Sequence, residues 1–90
     1  MKKPIKAIQN TINERKTTHG DFTDHARVTQ AIKRAMRDSP NWSKLTDCQK
    51  ESLEMQAHKQ GRILSGNPNH DDHWLDIEGY AKIARERLRK

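Results

Sequence analysis

The tetrapeptide Gly66-Asn67-Pro68-Asn69 constrains this chain more than any other feature. Glycine is the usual residue just past a helix end, and proline disfavours helix at the residue before it. The stretches on either side, from Glu51 and on to Tyr80, have helical periodicity. One continuous helix through the turn is therefore excluded, and the two arms are expected to fold back as an antiparallel hairpin. Residues equally far from Pro68 then face each other, which sets His58 level with Glu78 and Arg62 level with Trp74.

The arms carry their own boundary signals. Thr46-Asp47-Cys48-Gln49 has the capping-box spacing, a hydroxyl followed three residues later by an amide, so the third helix is expected over 46–65. Asp71 suits the positive start of a fourth helix, expected over 71–88, with Trp74, Ile77, Ala81, Ala84 and Leu88 as its apolar seam. Gly61 and Gly79 sit inside these helices. Each costs about 1 kcal/mol against alanine, which predicts close approach of another backbone at both positions.

Upstream, Ile5, Ile8 and Ile12 recur at helical spacing behind Pro4, a good first-turn residue, and predict a helix over 4–16. Thr17-Thr18-His19-Gly20 is expected to break it. A second helix is expected over 23–38, with Ala26, Val28, Thr29, Ile32, Ala35 and Met36 inward and Phe22 as a staple at its start. Ser39-Pro40 ends it. Trp42 and Leu45 are expected to fold back on the core from the connection. No strand pattern, repeat or second domain is present. The fold class is all-α: one small domain over 1–90, four helices, with the helix 3–helix 4 hairpin at its centre.

Composition limits that fold. Only 31% of the 90 residues are hydrophobic, and Phe22, Trp42, Trp74 and Tyr80 are the only aromatics. So thin a core leaves the monomer marginal, and self-association into a homo-oligomer would add burial. The net charge of +6 is concentrated at the ends, in Lys2, Lys3 and Lys6 and in Lys82, Arg85, Arg87, Arg89 and Lys90. Basic ends raise nucleic acid as a partner, against a plain reading as solvated tails. The single cysteine, Cys48, fits a reducing cytoplasm and reads as a small apolar residue. Met1-Lys2-Lys3-Pro4 does not open a signal peptide, and no stretch is apolar enough to span a membrane.

Chemistry is less sharply marked. Glu51 and Glu54 share a face of helix 3, and Asp72, Asp76 and Tyr80 stack along one side of helix 4. Converging carboxylates from two helices are what Mg²⁺ takes, so Glu51, Glu54, Asp72 and Asp76 form a candidate metal set. The plain alternative is solvated, ion-paired faces. His58, Lys59 and Arg62 have two readings as well. They are phosphate contacts, or else they carry cross-arm salt bridges, Arg62 to Asp72 and Lys59 to Asp76 or Glu78. A zinc reading through His58, His70 and His73 with nearby aspartates matches no strong zinc spacing. His70 and His73 are expected to cap or solvate helix 4, and His19 and His25 to be loop and surface residues.

The run AHKQGRILSGNPNHDDHWLDIEGYA, from Ala57 to Ala81, resembles a family of small phage and prophage proteins. Its members read HKxxRILxGxP followed by DxWxDIxGY, and Thr18-His19-Gly20-Asp21-Phe22 fits the same pattern. The resemblance implies a phage or prophage origin and the cytoplasm of the host bacterium, but no activity. Gly61, Gly66, Pro68, Trp74, Gly79 and Tyr80 are read from the residues themselves as structural, describing how the two helices pack. A more distant likeness is to MazG-like nucleoside triphosphate pyrophosphohydrolases, which hold Mg²⁺ with ExxE on one helix and ExxD on the next. Glu51-x-x-Glu54 fits the first half, but His73-x-x-Asp76 stands where the second would be. The leading expectation is an accessory protein that binds a host or phage protein. A Mg²⁺-dependent pyrophosphohydrolase is the enzymatic alternative, and nucleic-acid binding through the basic ends is the second.

Overall fold

The computed structural model describes residues 5–88. Pro4 and the basic Lys2, Lys3, Arg89 and Lys90 lie outside the described residues, as do the side chains of Ile5, Lys6, Ala7, Glu14 and Arg15. The chain forms α1 (Ile5–His19), α2 (Phe22–Arg37), a short 3₁₀ turn (Trp42–Lys44), α3 (Asp47–Ser65) and α4 (Asp71–Glu86). All four helices are present, and no strand occurs among the described residues.

α3 is the central element. It packs along α4 and α2 and more lightly against α1. Its start is fixed by the expected box: Gln49 N donates to Thr46 Oγ1 at 3.2 Å, and Thr46 N donates to Gln49 Oε1 at 2.9 Å. The hairpin closes within one residue of the expected register at Lys59 and one turn away from it at Ser52. Ser52 Oγ donates to the Tyr80 carbonyl at 2.7 Å, and Lys59 Nζ meets Asp76 Oδ2 at 2.8 Å. At the turn, Trp74 Nε1 donates to the Pro68 carbonyl at 2.8 Å, and Asn67 Oδ1 accepts from Asn69 N at 3.0 Å.

Several boundaries and faces differ from the sequence reading. α1 continues through Thr17, Thr18 and His19 and stops at Gly20, whose φ of 86° is the left-handed conformation that a side chain resists. A Cβ at Gly20 would also strike the backbone of Ser65, so the α1–α2 junction is pressed against the end of α3. Gly66 reciprocates by lying against the backbone of Thr18 to Gly20. The carbonyl of Thr18, an orphan of the α1 C-terminus, accepts from Asn67 N and from His73 Nε2, each at 3.1 Å.

The interior is polar. Among the described residues, Ala57 is the one hydrophobic side chain that is fully buried, beside His25, Thr29, Ser52 and His73. Ile8 and Ile12 are exposed rather than inward, and so are Trp74 and Leu88 of the α4 seam. Phe22 is 76% exposed and staples nothing, although its ring comes within 6.2 Å of His25. Ala35 is exposed as well. Trp42 and Leu45 are half-buried, with Lys50 Nζ 5.8 Å from the Trp42 ring.

Candidate functional site

His25 and Thr29 are one turn apart on α2, so they present one face. Gly61 of α3 lies opposite them. A Cβ on Gly61 would overlap Thr29 Oγ1 and come within 2.9 Å of His25 Nδ1, so the missing side chain is what lets α2 approach. The close approach expected at Gly61 is therefore present. The partner helix is α2, and the groups it admits are polar.

One turn before Gly61, His58 completes the seam. Its Nδ1 lies 3.3 Å from His25 Nε2, with the two rings edge to face at a centroid distance of 4.8 Å. Burial pushes the His58 imidazole down to about 4, with Arg62, His25, Lys59 and Lys33 adding repulsion of the charged form. Burial also lowers His25; the Gly61 backbone opposes that shift, while Arg62 and Lys33 reinforce it. His25 Nδ1 faces the Gly61 backbone without reaching hydrogen-bond geometry, and Thr29 Oγ1 is buried with no hydrogen-bond partner among the described residues. A pair of neutral imidazoles, one donating its N–H to the other, is the state this environment favours.

The seam opens at one end into a cleft of about 320 Å³. Ile12 and Phe22 form its apolar wall. Lys16, Arg62 and three histidines, His19, His25 and His58, supply nitrogen, and Asp21 is the one carboxylate. The helical spacing of Ile8, Ile12 and Lys16 keeps the apolar and basic groups on one side of α1. This lining suits a ligand that is apolar with a negative end.

A second cluster lies below the α1 terminus. The rings of His19, His70 and His73 sit with centroids 5.1 Å apart for His19–His73 and 4.7 Å for His70–His73. His73 is only 1% exposed, and because a carbonyl only accepts, its Nε2 carries the proton donated to Thr18. The expectation that His73 caps or solvates α4, and that His19 and His25 are surface groups, is corrected: His73 and His25 are interior, and His19 packs against His73. His70 does stand at the α4 N-cap, without a side-chain cap hydrogen bond.

The candidate acids are spread over separate ion pairs. Glu54 Oε1 meets Arg37 Nη2 at 2.9 Å, Asp76 meets Lys59, and Asp72 Oδ2 is 3.8 Å from His70 Nε2. Glu51 is exposed on α3. The hydrogen bond from Lys59, aided by its charge, holds the Asp76 carboxyl below its ordinary range. Among the described residues, no three His, Cys, Asp or Glu side chains gather as a set that could hold a metal ion. As arranged, these four carboxylates do not fit a Mg²⁺ cage, since two of them already face a cation. Gly79, expected at a close crossing, has nothing among the described residues within 4 Å of where its Cβ would be. Tyr80 is half-buried and contributes its carbonyl to the hairpin.

The sequence reading missed His25 and Thr29 as site residues. A usable signal was present: two polar residues four apart on α2, and an otherwise costly glycine in the opposing helix.

Residues 4–88 match the model of a family described as a domain of unknown function (DUF6378). No curated protein and no solved structure matches the chain. Among the described residues, no helix is long and apolar enough to cross a membrane.

Proposed function

From the premise that the chain belongs to the DUF6378 family, we propose that it is a small accessory binding protein whose working surface is the cleft between α1 and α2. The observation that carries this reading is the pairing of exposed apolar side chains, Ile12 and Phe22, with the basic rim of Lys16 and Arg62 around one cleft. Solvent-facing apolar groups rimmed by charge are the usual mark of a protein-binding patch. The fitting partner is a protein segment that presents an apolar side chain beside an acidic one. The resemblance to small phage and prophage proteins supports a host or phage protein as that partner, and the cytoplasm of an infected or lysogenic bacterium as the setting.

The test is cross-linking and recovery from phage-infected cells, followed by reconstitution with the purified partner. Wild type binds, while Phe22→Glu and Lys16→Glu weaken binding about tenfold or more and keep full helicity. A reconstituted partner indifferent to both substitutions contradicts this surface.

A further inference from the structure

Gly79 poses a question that the chain's own packing does not answer. Glycine is unfavourable inside a helix, yet among the described residues nothing lies near enough to require it here. Leu75 and Ile83 stand one turn before and one turn after it on the same face, 56% and 48% exposed. The inward side of α4 is a different one, carrying buried His73 and half-buried Ile77 and Ala84. Leu75, Gly79, Tyr80 and Ile83 thus line a shallow groove on the outer surface.

We propose that this face is where a second copy of the chain docks, α4 against α4 of the other copy, antiparallel about a two-fold axis. Two pairs on this face are self-complementary, while Asp76, which comes level with the other copy's Glu78, is already held by its own Lys59. Leu75 and Gly79 have their midpoint at Ile77, and Asp72 and Lys82 share that midpoint. A single two-fold axis at the level of Ile77 therefore seats each Leu75 over the other copy's Gly79. The same axis sets each Asp72 opposite the other copy's Lys82. Every contact is made twice, as an isologous interface requires. Ile83 flanks the incoming Leu75, and the absent Cβ of Gly79 makes the notch.

The charged groups are free to serve. The Asp72 and Lys82 side chains are 73% and 75% exposed, and their neighbours within the chain, His70 and Glu86, stand at 3.8 Å in each case. Exposed pairs that long contribute little, so exchanging them across an interface costs little. Need points the same way, because a domain with so few buried apolar groups gains from association. A foreign partner would have no reason to match a charge pattern symmetric about the same point as the Leu–Gly pair. This surface is separate from the α1–α2 cleft, and the dimer does not depend on what that cleft binds.

Sedimentation of the full chain over a concentration series tests this, with circular dichroism to follow folding. Wild type forms dimers. Leu75→Glu weakens dimerisation about tenfold or more. Gly79→Leu does the same while leaving helicity equal or higher, which a folding defect would not. Asp72→Lys and Lys82→Asp each weaken the dimer, and the double exchange restores most of the loss. A wild type that stays monomeric overturns the proposal. So does a dimer indifferent to Leu75→Glu and Gly79→Leu, or a double exchange no better than the single ones.

Discussion

His25 Nε2 and His58 Nδ1 lie 3.3 Å apart across the α2–α3 seam. A hydrogen bond between two imidazoles needs one donor and one acceptor, and protonating both rings removes the acceptor. Both groups are held below the ordinary histidine value, chiefly by burial, with Arg62, Lys33 and, for His58, Lys59 repelling added charge.

Stability should therefore fall with acid. Each folded-state value lies below its unfolded counterpart of 6.5, so the contribution is complete above 6.5. It is lost as pH falls from there through about 4, the value for His58. Discounted for the partial exposure of His58, the loss is about 1–2 kcal/mol. Urea unfolding at neutral and at acidic pH checks this. His58→Gln should flatten the difference, and equal pH sensitivity in both proteins would count against the pair.

Gly61→Ala should cost about 1–3 kcal/mol although alanine is the better helix former, because its methyl group meets Thr29 and His25. A companion Thr29→Ser exchange keeps the overlapping oxygen and should rescue nothing. Thr29→Ala removes that oxygen and should recover part of the loss. Thermal melts of the three variants read this out. A neutral or stabilising Gly61→Ala would place the helices further apart than described.

Thr46→Ala removes the hydroxyl that caps the Gln49 amide and should cost about 1 kcal/mol. Thr46→Asn should retain most of the stability. Chemical denaturation distinguishes the two, and equal losses would mean that the cap does not hold α3.

Much of this architecture was legible in the sequence. Equal spacing from Pro68 comes within one residue of the Lys59–Asp76 contact, while Ser52 meets Tyr80 one turn away from the Ala84 that the same spacing sets opposite it. The Thr46 box marked the N-cap of α3, whose first helical residue is Asp47, one past the expected start. Legibility failed where burial and polarity part company. Ile8 and Ile12 have the spacing of a core stripe, but nothing in the described chain covers that side of α1. The expectations of a loop or surface role for His25, and of a capping or solvated role for His73, fail in the same way. The burial of both histidines rests on partners far along the chain: His58 for one, and the Thr18 carbonyl for the other. Periodicity shows that a face exists without showing which element covers it.

Mg²⁺ should have little hold on the hairpin acids, since Arg37 and Lys59 occupy Glu54 and Asp76. A Mg²⁺ titration is expected to leave the melting temperature unchanged, in wild type and in Asp76→Ala alike. Stabilisation by Mg²⁺ that Asp76→Ala abolishes, together with Mg²⁺-dependent release of pyrophosphate from nucleoside triphosphates, would favour the pyrophosphohydrolase reading.

The central claim is that the α1–α2 cleft binds a partner protein through its apolar wall and basic rim. Its most direct measurement is the affinity of the reconstituted partner for wild type and for Phe22→Glu, with helicity verified in both. The account predicts a loss of about tenfold or more for the variant. Equal affinities for the two proteins would contradict it.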